Sequence, residues 1–473
     1  MAKLTFYGAA KEVTGSCYLL ETRHSRILME CGMHQGGNAA ERRNDEPFPF
    51  DPRSIDAVVL SHAHMDHSGL LPKLVKEGFH GPIYATDATR RLLAIMLRDG
   101  ANLYLRDLEN HNRRLQRAGK KLLHPRYGLE DVNKALRLCV SVGYHREESI
   151  GEDITFQFHN AGHILGSAIV ELNIQEGGDE KPKKIVFSGD LGNPDSVLMP
   201  TWDTLTDADL VLLESTYGDR DHRQIGATKD ELAEVLNQAC KEGGNVMIPA
   251  FAVGRAQELL YYLAMLNEEG RLRQPHIFLD SPMAIEVTEV YRDYMSLLDQ
   301  NDIQRILKKS PNGKSRFLPR QLLPQLRATP TVEESMMINR FPRESIVIAG
   351  SGMCNGGRIV HHLKYNLWRR ESHVVFVGFQ AQGTLGRLLV DGAERVKIFG
   401  QEVVVNAKIH TLGGFSAHAG QSQLVEWMSH FQKPVRVCLV HGEEHAQIAL
   451  QSVLKERLAL NAEIHAEGDS ITL

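Results

Sequence analysis

The amino-acid sequence predicts an α/β protein built from more than one domain, and three observations lead there. From about residue 210, short apolar runs alternate with helical patterns, the rhythm of a parallel sheet with crossover helices. The N-terminal third is instead rich in closely spaced strand patterns. The chain has 473 residues, too many for one ordinary core, so two or three domains are expected.

In chain order, R-I-L-M-E at 26–30, A-V-V-L-S at 57–61, S-A-I-V-E-L at 167–172 and K-I-V-F-S at 184–188 are short, largely apolar runs that predict strands. Residues 86–140 between them read as helical, and the basic run at 111–121 as a solvated helix face. D-L-V-L-L-E (209–214) predicts a strand, and Thr228 with Glu231 fits a capping box opening a helix. N-V-M-I-P-A (245–250), H-I-F-L-D (276–280), S-I-V-I-A-G (345–350) and H-V-V-F-V-G-F (373–379) read as buried strands, with a helix over 254–266. The polar, proline-containing residues 300–340 read as an insertion. A strand over 436–442 and a helix from about 445 suggest a return to the first domain.

Composition is globular, with 42% hydrophobic and 24% charged residues. No apolar run is long enough to span a bilayer, and the N-terminus lacks the apolar core of a secretory leader. A cytoplasmic protein with no membrane partner is the expectation. Six scattered cysteines with no C-x-x-C argue against a disulfide framework. The formal net charge of −5 excludes a global attraction for nucleic acid but leaves room for a local one. The 22 histidines, about twice a typical share, direct attention to metal chemistry.

They crowd most densely in L-S-H-A-H-M-D-H-S-G at 60–69. A strand ends there and an apolar helical run follows, so the cluster lies on a loop held by regular elements. In an extended loop His62 and His64 point the same way and can share one ion, while Asp66 and His67 face a second. Imidazole with carboxylate suits zinc, and other divalent metals remain compatible. Four ligands do not complete a two-metal site. His163 in N-A-G-H-I-L-G-S, Asp190 in V-F-S-G-D-L-G and His441 at the end of V-C-L-V-H-G are the best further candidates, Asp190 as a bridge.

The combination of H-A-H-M-D-H, a glycine-flanked downstream His and S-G-D resembles the metallo-β-lactamase superfamily. The distance from Asp190 to His441 resembles the domain-sized insertion of its β-CASP nucleases. E-S-T-Y-G at 214–218, F-S-A-H-A at 415–419 and V-H-G at 440–442 are similar to that group's motifs A, B and C. P-A-F-A-V-G-R-A-Q-E (249–258) and S-G-M-C-N-G-G-R (351–358) also fit the group. The likeness runs almost end to end and extends to the endonuclease subunit of the pre-mRNA cleavage and polyadenylation factor and its prokaryotic relatives.

The resemblance implies an αββα sandwich over 1–210, completed by 399–473, with a β-CASP domain at 211–398 on a parallel sheet flanked by helices. Carried over by position, it implies two zinc ions per chain. His62, His64 and His163 would hold the first, Asp66, His67 and His441 the second, and Asp190 would bridge. Glu30 in L-M-E-C-G stands where the family usually has Asp, and would support the metal loop. A histidine at motif C goes with RNA, so His441 favours single-stranded RNA as partner. No RNA-binding domain is expected on either flank, and a homodimer is compatible with the sequence.

The chemistry expected is internal cleavage of RNA phosphodiesters by two-metal hydroxide attack. Asp66, Glu214 and His418 are the catalytic candidates, with His418 as general acid oriented by Glu214. Arg255, Ser351 and Arg358, at two glycine-rich helix starts, are the candidate phosphate-binding residues. Two other classes stay open. A thioesterase or lactonase would use the same metals without the insertion or the His418–Glu214 pair. A non-catalytic RNA-processing scaffold would lose metal ligands, and none is missing.

Overall fold

Apolar strands at both chain ends assemble one seven-stranded sheet, in the order Ser470–Thr472, Lys3–Gly8, Cys17–Glu21, Arg26–Met29, Ala57–Val59, Ile83–Ala85 and Cys139–Ser141. A second seven-stranded sheet runs Ala462–Ile464, Arg436–Val440, Leu210–Glu214, Lys183–Phe187, Ala168–Ile174, Ile154–Asn160 and Glu148–Ile150. Leu4, Phe6, Tyr18 and Ile27 of the first sheet share one buried cluster with Phe156, Phe158, Val170 and Leu212 of the second. Each such side chain contributes about 1.5–3 kcal/mol on burial. The second sheet's other face packs Val211 and Leu213 against Leu424, Trp427 and Leu450 of the helices Gln421–Met428 and Glu444–Leu458. The long helix Asp87–Arg117 and the helices Leu71–Lys76 and Leu129–Leu138 accompany the first sheet. The result is the αββα sandwich expected.

This computed structural model describes residues 2–36, 38–175, 181–307, 322–378, 380–432 and 435–473. The sandwich forms one compact unit, Met1–Asn193 with Thr201–Asp221 and His418–Leu473. The other unit is Pro194–Pro200 with His222–Ala417. Its centre is an all-parallel six-stranded sheet ordered Leu326–Ala328, His276–Leu279, Ser345–Ala349, Val246–Pro249, His373–Phe376 and Lys408–Thr411. Helices Ile225–Lys241, Arg255–Glu268 and Arg358–Asn366 lie among its connections.

Several local expectations change. The helix near 228 begins at Ile225, and the Thr228 hydroxyl donates to Gln224 O one turn earlier, so Thr228 lies inside the first turn and does not cap it. The segment 300–340 is no simple insertion, because Leu326–Ala328 pairs with His276–Leu279 at the sheet edge. Residues 308–321, and Phe379 of the strand pattern 373–379, lie outside the described residues. Leu210–Glu214 pairs with Arg436–Val440 inside the sandwich, while Lys408–Thr411 pairs with His373–Phe376 in the other unit.

Candidate metal and catalytic site

The strand Ala57–Val59 ends just before Ser61, and the backbone then makes a single helical turn over Met65–Ser68 with His64 at its start. This short turn carries the cluster. Gly32 lets it pack closely, since a Cβ there would lie 1.7 Å from Asp66 O. Two nests of donor atoms result. His64 Nδ1 lies 3.1 Å from His62 Nε2 and 3.2 Å from His163 Nε2. His67 Nε2 lies 3.2 Å from His441 Nε2, and Asp66 Oδ2 lies 3.7 Å from that same His441 nitrogen.

Asp190 stands between the nests. Its Oδ2 is 3.4 Å from His62 Nε2, 3.6 Å from His163 Nε2 and 3.3 Å from His67 Nε2. Among the described residues its buried Oδ1 has no hydrogen-bond partner, and it lies 3.4 Å from His441 Nδ1. Gly189 ahead of it has φ +55°, and a Cβ there would press on Ala168 O and Ser61 Cβ at 2.8 Å. That crowding demands glycine at the turn delivering the carboxylate.

This donor set fits metal. Zn–N bonds of about 2.0–2.1 Å separate tetrahedral donors by about 3.3 Å, close to the spacings found. Burial, with the neighbouring His67, holds His62 well below its usual pKa, and burial takes His64 down to about 4, so both are neutral imidazoles suited to ligation. Burial opposes the charge on Asp66, but His441, His67 and His64 hold its pKa down to about 2. An orphaned buried carboxylate oxygen amid imidazoles is what a bridging ligand looks like without its cations.

Outer partners fix three rings. Ser61 Oγ lies 2.9 Å from His62 Nδ1, Glu30 Oε2 lies 2.9 Å from His67 Nδ1, and Thr216 Oγ1 lies 3.0 Å from His441 Nδ1. Glu30 Oε1 also accepts from Ser61 N at 2.6 Å, tying the ring support to the loop backbone. Glu30 and His441 both sit at positive φ, 65° and 50°, local strain of the kind that collects at functional sites. Sequence reasoning missed Ser61 and Thr216, although Ser61 adjoins the histidine cluster and Thr216 lies inside E-S-T-Y-G.

Glu214 ends its strand fully buried, accepting from Leu191 N at 2.7 Å and Thr216 N at 3.3 Å. His418 Nδ1 meets Glu214 Oε1 at 3.3 Å and lies 3.9 Å from Asp190 Oδ2. Ala419 N donates to Leu191 O, which fixes the His418 backbone beside the Asp190 segment. Burial opposes a charge on His418, yet Glu214, then Asp190 and Asp66, push its pKa up to about 9. Cations on the two aspartates would cancel their part and leave Glu214 as the group favouring imidazolium.

All seven candidate ligands, with Glu30, Glu214 and His418, thus lie in the sandwich unit. Arg255, Ser351 and Arg358 lie in the other. Arg255 opens its helix after Gly254 but is buried and ion-paired with Glu258. Arg358 Nη1 donates to Asp280 Oδ1 at 2.7 Å and to Thr329 O at 2.5 Å, and Nη2 to Pro330 O at 2.9 Å. Ser351 Oγ donates to Gly356 O at 3.4 Å. Internal partners therefore engage both guanidinium groups.

Three family models match: the metallo-beta-lactamase superfamily over 10–130, the Beta-Casp domain over 256–389 and the Zn-dependent metallo-hydrolase RNA specificity domain over 402–466. The chain is 42% identical to "Ribonuclease TTHA0252" of Thermus thermophilus across 95% of both proteins. It is 32% identical to "Transcription termination factor FttA" of Methanosarcina mazei, across 100% of this chain and 71% of that protein. It is 30% identical to an "RNase J-like protein" of Methanocaldococcus jannaschii across 99% of both. A solved structure of a protein of unknown function from Enterococcus faecalis superposes over the full length of both chains, with a TM-score of 0.53 at 12% identity, a likeness of fold.

Proposed function

The chain belongs to the β-CASP group of the metallo-β-lactamase superfamily, and from that premise we propose that it is a zinc-dependent ribonuclease hydrolysing phosphodiester bonds of single-stranded RNA, endonucleolytically. The observation that carries the reading is the double nest with buried Asp190 between its halves and His418 beside it on Glu214. His62, His64 and His163 would hold one zinc ion, Asp66, His67 and His441 the second, and Asp190 would bridge them. The ions would supply Lewis acidity toward the phosphoryl oxygens and activation of the attacking water.

The chain's own residues do the rest. Ser61, Glu30 and Thr216 each hold an Nδ1 and so aim the opposite ring nitrogen inward, the usual outer support of a ligating imidazole. Glu214 accepts from His418 Nδ1 and favours the imidazolium, whose Nε2 proton is then available to the departing ribose oxygen. The His418 side chain keeps 22% of its surface exposed, enough for a substrate oxygen to reach it.

A small-molecule hydrolase is the weaker reading, because the RNA specificity domain and the ribonuclease relatives both point to RNA. A scaffold is weaker still, because every candidate ligand is present. Elemental analysis paired with labelled single-stranded RNA and a chromogenic thioester tests the proposal. Two zinc ions per chain with cleaved RNA are expected. Thioester turnover with intact RNA would replace it.

A further inference from the structure

A second group of metal-ligating side chains lies elsewhere on the sandwich unit, where Ile154–Asn160 runs toward the His163 loop. His145, His159 and Asp203 each bring one donor atom to within 4.8 Å of the others. His145 Nε2 is 3.4 Å from Asp203 Oδ2, a ligand-to-ligand distance, and the two imidazole rings are edge to face at 5.3 Å. From these three residues we propose a further transition-metal site, taking zinc or a similar borderline divalent ion, separate from the paired nests.

Three features go beyond a chance surface cluster. First, His159 Nε2 lies 2.9 Å from Glu171 Oε2, and Lys184 Nζ holds the other oxygen of Glu171 at 2.6 Å. An imidazole locked by a carboxylate on one nitrogen is the outer-partner arrangement typical of metal-ligating histidine, and it leaves Nδ1 as the other donor. Second, one stretch of backbone organises all three ligands. His145 N donates to Phe158 O, Asn160 N donates to Asp203 Oδ2, and Asp203 N donates to Asn160 O, each at 2.8 Å. Third, His145 has φ 60°, a conformation uncommon in a non-glycine residue that persists only where surroundings enforce it. Two imidazoles and one carboxylate select zinc and its neighbours over calcium or magnesium.

The site also has a use. Asn160 Nδ2 donates to Thr201 O, and Gly162 N donates to Asn160 Oδ1, so Asn160, whose N–H holds Asp203, also braces the turn that carries His163. A metal here would tie the 201–203 loop, His145 and the strand end together, as structural ions do.

The test uses the full chain, saturated with zinc and then dialysed. Wild type should retain one ion more per chain than either His145→Ala or Asp203→Asn. In unaltered protein, zinc should also protect the exposed His145 from diethyl pyrocarbonate, mapped by mass spectrometry. Equal metal content in the three proteins, or His145 modified equally with and without zinc, would overturn the proposal. The paired site is read separately, because its loss in Asp190→Asn should leave His145 protected.

Discussion

Asp190 is the residue on which the paired nests depend, since one carboxylate faces donors of both. Asp190→Asn should therefore lower the metal content of both nests, and elemental analysis showing a full complement would remove its bridging role. His418 has a different burden. Its Nδ1 is taken by Glu214, and in the proposed site six other side chains would supply the terminal ligands. His418→Ala should keep both metals and cut RNA cleavage about 10²–10⁴-fold, the range for a lost general acid. An RNA with a sulfur leaving atom at the cleaved bond should be cut nearly as fast by the variant as by wild type, because a thiolate departs without a proton. An equal defect on both substrates would end that assignment. The histidine cluster was legible in the sequence because its ligands are adjacent on one loop. Ser61 and Thr216 were not, because holding an Nδ1 depends on where a distant ring turns, and Thr216 and His441 meet only in the folded sheet.

At the level of elements, the start of helix Arg358–Asn366 shows where sequence reasoning fell short. A glycine-arginine helix start suggests phosphate binding, yet Arg358 donates to Asp280 at the end of His276–Leu279. Asp280 also meets His362 Nε2 at 2.6 Å and accepts from Ser335 and Thr329, each at 2.7 Å. The Arg255 partner Glu258 lies three residues on in the same helix; the Asp280 partner is far in sequence, because the parallel sheet creates that contact. We predict that Arg358→Ala lowers the melting temperature and leaves the salt dependence of RNA binding unchanged. A log–log salt slope reduced by about 0.7 would instead mark a phosphate contact. Burial works against the Asp280 charge, but His362, Ser335 and Thr329 hold its pKa down to about 2. A depressed carboxyl stabilises the fold above its unfolded value of about 3.9 and loses that contribution as pH falls toward 2. The stability gap between wild type and Asp280→Asn, read by denaturant titration, should thus be constant at neutral pH and shrink below about pH 4. A gap that widened on acidification would contradict this linkage.

Across the whole molecule, two units of different build divide the chain, a two-sheet sandwich with the candidate site and an all-parallel sheet. Alternating strand and helix patterns made the second legible, and the return of the chain to the first was readable in R-V-C-L-V-H-G. The strand Leu210–Glu214 was harder, since a short apolar strand reads alike in either sheet until it pairs with Arg436–Val440. No helix among the described residues is long and apolar enough to cross a membrane. The proposed activity is metal-dependent hydrolysis of RNA phosphodiesters at internal bonds. Its most direct test is a circular single-stranded RNA, which has no ends, incubated with the zinc-loaded protein and with Asp190→Asn. The wild type should linearise the circle, a chelator should stop it, and Asp190→Asn should leave the circle intact. A circle that survives the zinc-loaded wild type, while linear RNA of the same sequence is degraded from its 5′ end, would contradict internal cleavage.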